Sequence, residues 1–433
     1  MFEVREKPEM VERALLVRLY FDPREADESE ALLEELEELV RTLGIGVVDK
    51  LLAKSRSMHK KFLCGTGKAA EIVELARAHE CDCIVFDNQL APSQQREWEA
   101  ASDLCVIDRE EVILDIFAKR AATREARLQV ELARMQYALP RMARMWGHLD
   151  REGGGGSGGA AAARGMGEKQ IEVDRRMARV RIDRAKRELE DVRKQRATQR
   201  QNRERLDTPH AAIVGYTNAG KSTLLNRLSG SDVLSKDMLF ATLDTTTRRI
   251  DLPDGQPLLL TDTVGFVRNL PHRLVEAFKA TLEEAVLADF LIHVLDASAP
   301  EIERFHDTTL EVLEELGAGD KKVITVLNKI DRVEDPEELA RIDQLYPDAL
   351  RASALTGKGI DALLTECSHL LADRVRRVRY RIPQSRADLV ALLHEDAKIL
   401  STDYEGNDVL VHAVVPAAVA GKLEDFREHS EAT

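Results

Sequence analysis

The residues Gly215-Tyr216-Thr217-Asn218-Ala219-Gly220-Lys221-Ser222 have the spacing G-x-x-x-x-G-K-S and follow the apolar run Ala211-Ala212-Ile213-Val214. Glycines at both ends let backbone N–H groups turn inward around a phosphate, and a helix starting at the end of the loop adds the positive end of its dipole. Lys221 is long enough to reach β- and γ-phosphates, and Ser222 offers a hydroxyl to Mg²⁺. Thr223 opens the amphipathic stretch that continues through Leu224, Leu225 and Leu228. The chemistry these residues predict is binding of a nucleoside triphosphate.

Three further motifs follow in order. Asp262-Thr263-Val264-Gly265 comes after Leu258-Leu259-Leu260. Its aspartate can hold a metal through water, and the N–H of Gly265 can meet the γ-phosphate. Asn328-Lys329-Ile330-Asp331 closes the apolar run 323–327. There Asp331 can accept both the ring N–H and the exocyclic amine of guanine, a donor pair that adenine lacks. A carboxylate left unpaired by the wrong base discriminates strongly. Ser353-Ala354-Leu355 stands where a loop backbone would meet the guanine carbonyl oxygen. With this order of motifs, residues 209–372 resemble a translation-factor-type GTPase domain, which implies GTP as substrate. Lys221 and Gly265 are the candidates for catalysis at the γ-phosphate.

The residue after D-x-x-G carries information by its type. Ras-like GTPases place there a glutamine that orients the attacking water. This chain has Phe266, which cannot make that hydrogen bond. Slow intrinsic hydrolysis is expected unless another group positions the water, either from the switch loops or from a partner in trans. The alternative is that Phe266 only packs while an internal residue does the positioning.

At 433 residues the chain should hold about three domains. Five cysteines without C-x-x-C spacing point to a reducing compartment. Cys81 and Cys83 flank an apolar run and read as buried strand thiols rather than a zinc half-site. With no signal peptide and no apolar run of membrane-spanning length, the expected place is the cytoplasm. The net charge of −14 is unevenly spread. Residues 116–151 carry eight Lys/Arg against three Asp/Glu, and residues 164–205 carry fifteen against eight. Basic stretches within an acidic chain point to RNA or the ribosome more than overall charge does. Solvated helical faces are the plain alternative.

The elements that must position these motifs form an α/β protein. Residues 1–110 alternate strand-like and helix-like runs: strands at 15–19, 47–48 and 84–86, helices at 29–43 and 72–78. That alternation predicts a small domain with a largely parallel sheet. Cys64-Gly65-Thr66-Gly67-Lys68-Ala69 resembles a scrap of phosphate loop, but Ala69 offers no metal-ligating hydroxyl, so a tight turn before a helix is preferred. Residues 111–206 read as two basic helices, 110–139 and 175–205, joined by a glycine-rich tip at 153–167. Residues 207–373 form the GTPase domain, a mainly parallel sheet with helices on both faces. Residues 374–433 form a small α+β domain: a strand at 378–382, a helix to 394, strands at 399–400 and 409–411, and a helix over 416–427.

Taken together, the small N-terminal domain, the basic hairpin with its glycine-rich loop, G-Y-T-N-A-G-K-S, F-A-T-L-D, D-T-V-G-F and N-K-I-D resemble the HflX family, within the Obg–HflX group. The stretch Arg164-Gly165-Met166-Gly167-Glu168, running on to Glu172, Asp174, Arg175 and Arg176, resembles that family's loop-to-helix junction. The resemblance covers essentially the whole chain, and Phe266 agrees with it. It implies that Phe240, Ala241, Thr242, Leu243 and Asp244 form the metal-sensing loop. Thr242 would ligate Mg²⁺ with Ser222 and Asp262 and take part in catalysis; spacing leaves Thr246 as the alternative. It implies a GTPase that binds the large ribosomal subunit and separates stalled or idle ribosomes into subunits; a monomer is expected. Two other readings are a large-subunit assembly GTPase and a nucleotide-dependent switch acting on a protein partner through a coiled coil. The arginines at 175, 176, 179, 181 and 184 interrupt any a/d seam and count against the coiled coil.

Overall fold

A computed structural model describes residues 11–141, 160–204, 208–230, 239–240, 243–269 and 283–428. They form two compact units. The first takes in Met1–Gln195, Asp237–Asp244 and Arg268–Ala280, and the second takes in Arg196–Lys236, Thr245–Val267 and Thr281–Thr433.

In the first unit four strands lie in the order β2-β1-β3-β4, all parallel: β1 (Arg13–Tyr20), β2 (Gly46–Lys54), β3 (Cys83–Phe86) and β4 (Cys105–Asp108). Parallel strands are covered on both faces, so the inner ones read as continuous apolar runs; every residue of β3 is buried. Helix α1 (Ala26–Thr42) turns Leu32, Leu36, Leu39 and Val40 inward at helical spacing. Helices α2 (Thr66–Ala78) and α3 (Pro92–Ser102) belong to the same domain. The rings of Phe62 and Phe86 pack on the fully buried Trp98 at 5.2 and 4.8 Å between centroids. Gly65 precedes the first turn of α2, so the glycine-rich scrap at 64–69 is a turn into a helix. Cys81 and Cys83 are buried free thiols.

The helical stretch expected over 110–139 is two helices, α4 (Arg109–Arg120) and α5 (Arg124–Arg141). The break is fixed from afar. The Asp244 carboxylate accepts hydrogen bonds from the N–H groups of Ala122 (2.8 Å) and Thr123 (3.1 Å) and from the Thr123 hydroxyl (2.5 Å). The same hydroxyl accepts from the Ala126 N–H at 3.2 Å, so it caps α5. At its other end α5 is tied to the sheet: Tyr137 donates to Asp108 at 3.0 Å, and Arg141 donates to the Leu90 carbonyl at 2.9 Å. The long helix α6 (Ala160–Glu204) starts earlier than the expected Arg175 and takes up Gly165 and Gly167, so part of the expected tip is helix. The alanines at 160–163 favour helix strongly enough to offset two glycines at about 1 kcal/mol each. The glycine run 153–159 lies outside the described residues. Ile182, Ala185 and Leu189 of α6 pack on Leu132 of α5, with Leu128, Met135 and Leu139 beside them.

The second unit contains a six-stranded sheet in the order β10-β9-β8-β5-β7-β6. Its strands are β5 (His210–Val214), β6 (Thr246–Asp251), β7 (Pro257–Asp262), β8 (Phe290–Asp296), β9 (Lys322–Asn328) and β10 (Leu350–Arg351). Only the β6–β7 pair is antiparallel. Helices α7 (Lys221–Ser229), α8 (Ile302–Glu315), α9 (Pro336–Leu345) and α10 (Ile360–Leu370) accompany it. One core cluster joins Ile213 and Ile292 of the sheet to Leu224 of α7 and Leu363 of α10. Three antiparallel strands, β11 (Val375–Pro383), β13 (Asp408–Pro416) and the edge strand β12 (Lys398–Glu405), follow with α11 (Ala387–Asp396) and α12 (Ala417–Lys422). The helix expected over 416–427 ends at Lys422 and gives way to a 3₁₀ turn at Glu424–Phe426. Tyr380, Ile382, Leu393 and Val415 are buried between these elements.

Candidate active site

Strand β5 delivers the chain at Gly215 into a loop that only glycine can begin. Gly215 has φ +147°, and a Cβ there would lie 2.3 Å from the Val294 carbonyl oxygen of the neighbouring strand. Gly220, at φ +95°, closes the loop; a Cβ would meet the Asn328 amide nitrogen at 2.3 Å. Helix α7 starts at the next residue, so its free N–H groups point into the loop.

Lys221 and Ser222 occupy the first turn. Lys221 is buried, and its ammonium donates to the Gly215 and Tyr216 carbonyls at 3.0 and 2.7 Å. Burial holds its pKa down to about 8; the negative charge of Asp262 opposes that shift and the positive charge of Lys329 adds to it. The Ser222 hydroxyl donates to Asp262 at 2.6 Å, which brings two oxygen ligands of the type hard cations prefer to the ends of β5 and β7. Thr263 is fully buried and donates to the Ile213 carbonyl at 2.7 Å. Val264 is buried as well.

The segment after Gly265 is zipped to the phosphate loop. Thr217 N–H donates to the Phe266 carbonyl at 2.8 Å, and Phe266 N–H donates to the Gly215 carbonyl at 3.2 Å. The Phe266 side chain is buried at 1 % exposure, so it packs. Tyr216 stacks on Phe305 of α8, with 4.1 Å between ring centroids and 16° between planes.

Asn328 is a brace in this arrangement. Its amide nitrogen donates to the Ala219 carbonyl at 2.8 Å, and its amide oxygen accepts from the Ala354 N–H at 3.0 Å. It therefore ties the phosphate loop to the Ser353–Leu355 loop. Lys329, at φ +61°, pairs with Asp296 at 2.7 Å, and Ile330 N–H donates to the Ala352 carbonyl at 3.4 Å. Asp331 follows in a 3₁₀ turn and is exposed. The buried Ser353 hydroxyl accepts from the Thr356 N–H at 3.0 Å, and Leu355 is exposed at 70 %.

Other residues around the site belong to none of the sequence motifs. Arg227, in the last turn of α7, donates to the Ala354 and Leu355 carbonyls at 3.2 and 2.7 Å and so latches the same loop. A basic residue late in a helix was the only sequence signal for it. His293 of β8 is fully buried with neither ring nitrogen hydrogen-bonded among the described residues. Burial first, then the positive charges of His306 and Lys221, push its pKa down to about 3, so it is neutral at physiological pH.

The expected metal-sensing loop is described only in part. Ala241 and Thr242 lie outside the described residues. Phe240, Leu243 and Asp244 pack with the first unit. Phe240 is buried edge-on against Phe117 at 4.6 Å, Leu243 is buried, and the Asp244 side chain holds the turn before α5 as described above. Arg268, which follows D-T-V-G-F-V, also belongs to that unit. Its Nε donates to Glu35 at 3.0 Å and its carbonyl accepts from Arg109 at 3.1 Å. Arg109 in turn holds Glu35 at 2.6 Å and Asp87 at 2.8 Å, and Arg18 pairs with Asp87. Arg109, Glu35, Asp87 and Arg268 are all buried.

Three family models match the chain in succession. They are described as GTP-binding GTPase N-terminal over residues 30–118, GTP-binding GTPase Middle Region over 120–203 and 50S ribosome-binding GTPase over 210–329. GTPase HflX of Akkermansia muciniphila is 64 % identical over 433 residues, covering 98 % of this chain and 99 % of that one. GTPase HflX of Escherichia coli K12 is 42 % identical over 379 residues, 87 % of each chain. A crystal structure of SsGBP with GDP aligns at 25 % identity and a TM-score of 0.47, covering 84 % of this chain and 99 % of that one. With these relatives matched along nearly its whole length, the chain belongs to the HflX family of GTPases, enzymes that bind and hydrolyse GTP.

Proposed function

We propose that this GTPase acts in the cytoplasm on the large ribosomal subunit and that its GTP form separates stalled or idle ribosomes into subunits. The observation that carries this is the solvent-facing basic surface of α6, where Arg176, Arg179, Arg181, Arg184, Lys186 and Arg187 are all exposed. Such a cluster of exposed cations suits a phosphate backbone, and the same chain carries a GTPase domain matched by a 50S ribosome-binding family description. Exposed Val173, Met177 and Val180 on the same helix add apolar contact area.

Within the site, the loop Gly215–Ser222 cradles the phosphates, and Lys221 and the Gly265 N–H meet the γ-phosphate. Thr223 continues the first turn behind them. Asp331 reads guanine and the Ser353–Leu355 backbone meets its carbonyl oxygen. Ser222, Asp262 and Thr242 are the residues that would hold Mg²⁺; the 2.6 Å contact between the Ser222 hydroxyl and the Asp262 carboxylate fits a hard cation. When bound, that ion neutralises charge on the β- and γ-phosphates.

The test is sedimentation of purified 70S ribosomes incubated with the protein and GTP, GDP or a non-hydrolysable GTP analogue. Free subunits should accumulate with GTP and with the analogue and not with GDP. Ribosomes that stay intact in all three, with binding to immature large subunits instead, would replace splitting by an assembly role.

A further inference from the structure

Phe266 leaves open which group positions the water that attacks GTP, and the loop holds a hydroxyl with no other employment. Thr217 is 6 % exposed, and its Oγ1 is buried without a hydrogen-bond partner among the described residues. An orphaned buried hydroxyl costs about 1–3 kcal/mol, so it calls for an explanation. Its neighbours supply one. A Cβ built on Gly265 would lie 2.8 Å from both Cα and Cγ2 of Thr217 and 2.9 Å from Lys221 Nζ. Thr217, the γ-phosphate-sensing glycine and the phosphate-loop lysine therefore converge on one point. The methyl faces that point in this structure. A turn of about 120° about χ1 carries the hydroxyl into the place the methyl now holds and moves the methyl to the place of the Cβ hydrogen, and threonine populates more than one χ1 well.

We infer that the Thr217 hydroxyl positions the attacking water in GTP hydrolysis, a task the phenyl ring of Phe266 cannot perform. This rests on the assignment of the loop Gly215–Ser222 to the phosphates of GTP. A hydroxyl is both donor and acceptor. Thr217 Oγ1 accepts a hydrogen bond from the attacking water and donates its own proton's hydrogen bond to a γ-phosphate oxygen. The water oxygen then forms the new bond to Pγ while the bond from Pγ to the β,γ-bridging oxygen breaks, its electron pair leaving on GDP. The water's proton ends on the released phosphate, and Thr217 is unchanged. Its backbone N–H stays with the Phe266 carbonyl, which fixes Cα while the side chain turns.

Thr217→Val keeps the β-branched shape and removes only the hydroxyl. The full-length variant should bind GDP with a Kd within about twofold of the parent while its single-turnover GTP hydrolysis falls by about tenfold or more. Thr217→Ser should keep most of the rate. Hydrolysis by Thr217→Val at the parent rate would overturn the inference. So would parallel loss of GDP affinity and rate, which would make Thr217 a packing residue of the loop. If the parent protein itself binds neither GTP nor GDP, it is the phosphate-loop assignment that fails.

Discussion

Replacing Arg109 tests whether the buried ion cluster that holds Arg268 contributes to stability. Arg109 is 4 % exposed at its side chain and serves two carboxylates, Glu35 at 8 % and Asp87 at 0 %. Arg109→Met keeps much of the volume and removes the charge. Removing one partner from a buried ion pair costs about 3–5 kcal/mol, because the remaining charge is left uncompensated. Here Asp87 retains Arg18 and Glu35 retains Arg268, which places the loss near the low end, about 3 kcal/mol. The assay is urea unfolding followed by fluorescence of Trp98, which lies fully buried in the N-terminal core. The chain has two tryptophans, so the measurement is made in a Trp146→Phe background. With a urea dependence of about 2 kcal/mol/M for a domain of this size, the midpoint should fall by roughly 1–2 M. Arg109→Lys restores one cation without the planar fork and should recover only part of the loss. A midpoint for Arg109→Met within about 0.2 M of the parent, with unchanged slope, would refute the reasoning.

Other consequences are open to direct measurement. Lys221 is held near pKa 8 by burial, and bound phosphates restore its charge, so nucleotide binding should take up a proton above that pH and none well below it. Calorimetry at pH 8.5 and pH 7.0 in buffers of different ionisation enthalpy would detect this; equal heats in all buffers at pH 8.5 would contradict it. Asp331→Asn should shift preference from GTP toward xanthosine triphosphate, read by competition binding, and an unchanged preference would remove Asp331 from base recognition. Arg227→Ala should free the Ser353–Leu355 loop and weaken GDP binding by about 1–2 kcal/mol, or roughly five- to thirtyfold in Kd, while leaving the fold's circular dichroism unchanged.

The placement of the motifs at strand ends was legible in the sequence because their geometry is local. Gly215–Ser222, Asp262–Gly265 and Asn328–Asp331 each lie at the end of an apolar strand, and short motifs of fixed geometry survive without knowledge of the fold. Long-range pairing was not legible. Glu35 and Arg268 are 233 residues apart, and nothing in either neighbourhood marks them as partners. The break between α4 and α5 shows the same limit: periodicity predicted one helix, but the turn that breaks it is held by Asp244, 121 residues beyond Thr123. At α6 the error ran the other way. Gly165 and Gly167 read as loop, and a run of alanines followed by uninterrupted helix formers outweighed them. Asn328 was legible as part of a base-recognition motif, while its use as a brace between two loops became visible only with Ala219 and Ala354 in place.

The most direct test of the central claim is the GTP hydrolysis rate of the purified protein, alone and with purified large ribosomal subunits. A slow rate alone and strong stimulation by the subunit are expected, because the Thr217 methyl and not its hydroxyl faces Gly265 and Lys221 in this structure and the exposed cations of α6 suit a phosphate backbone. Normal GTP binding with a rate indifferent to the subunit would contradict it.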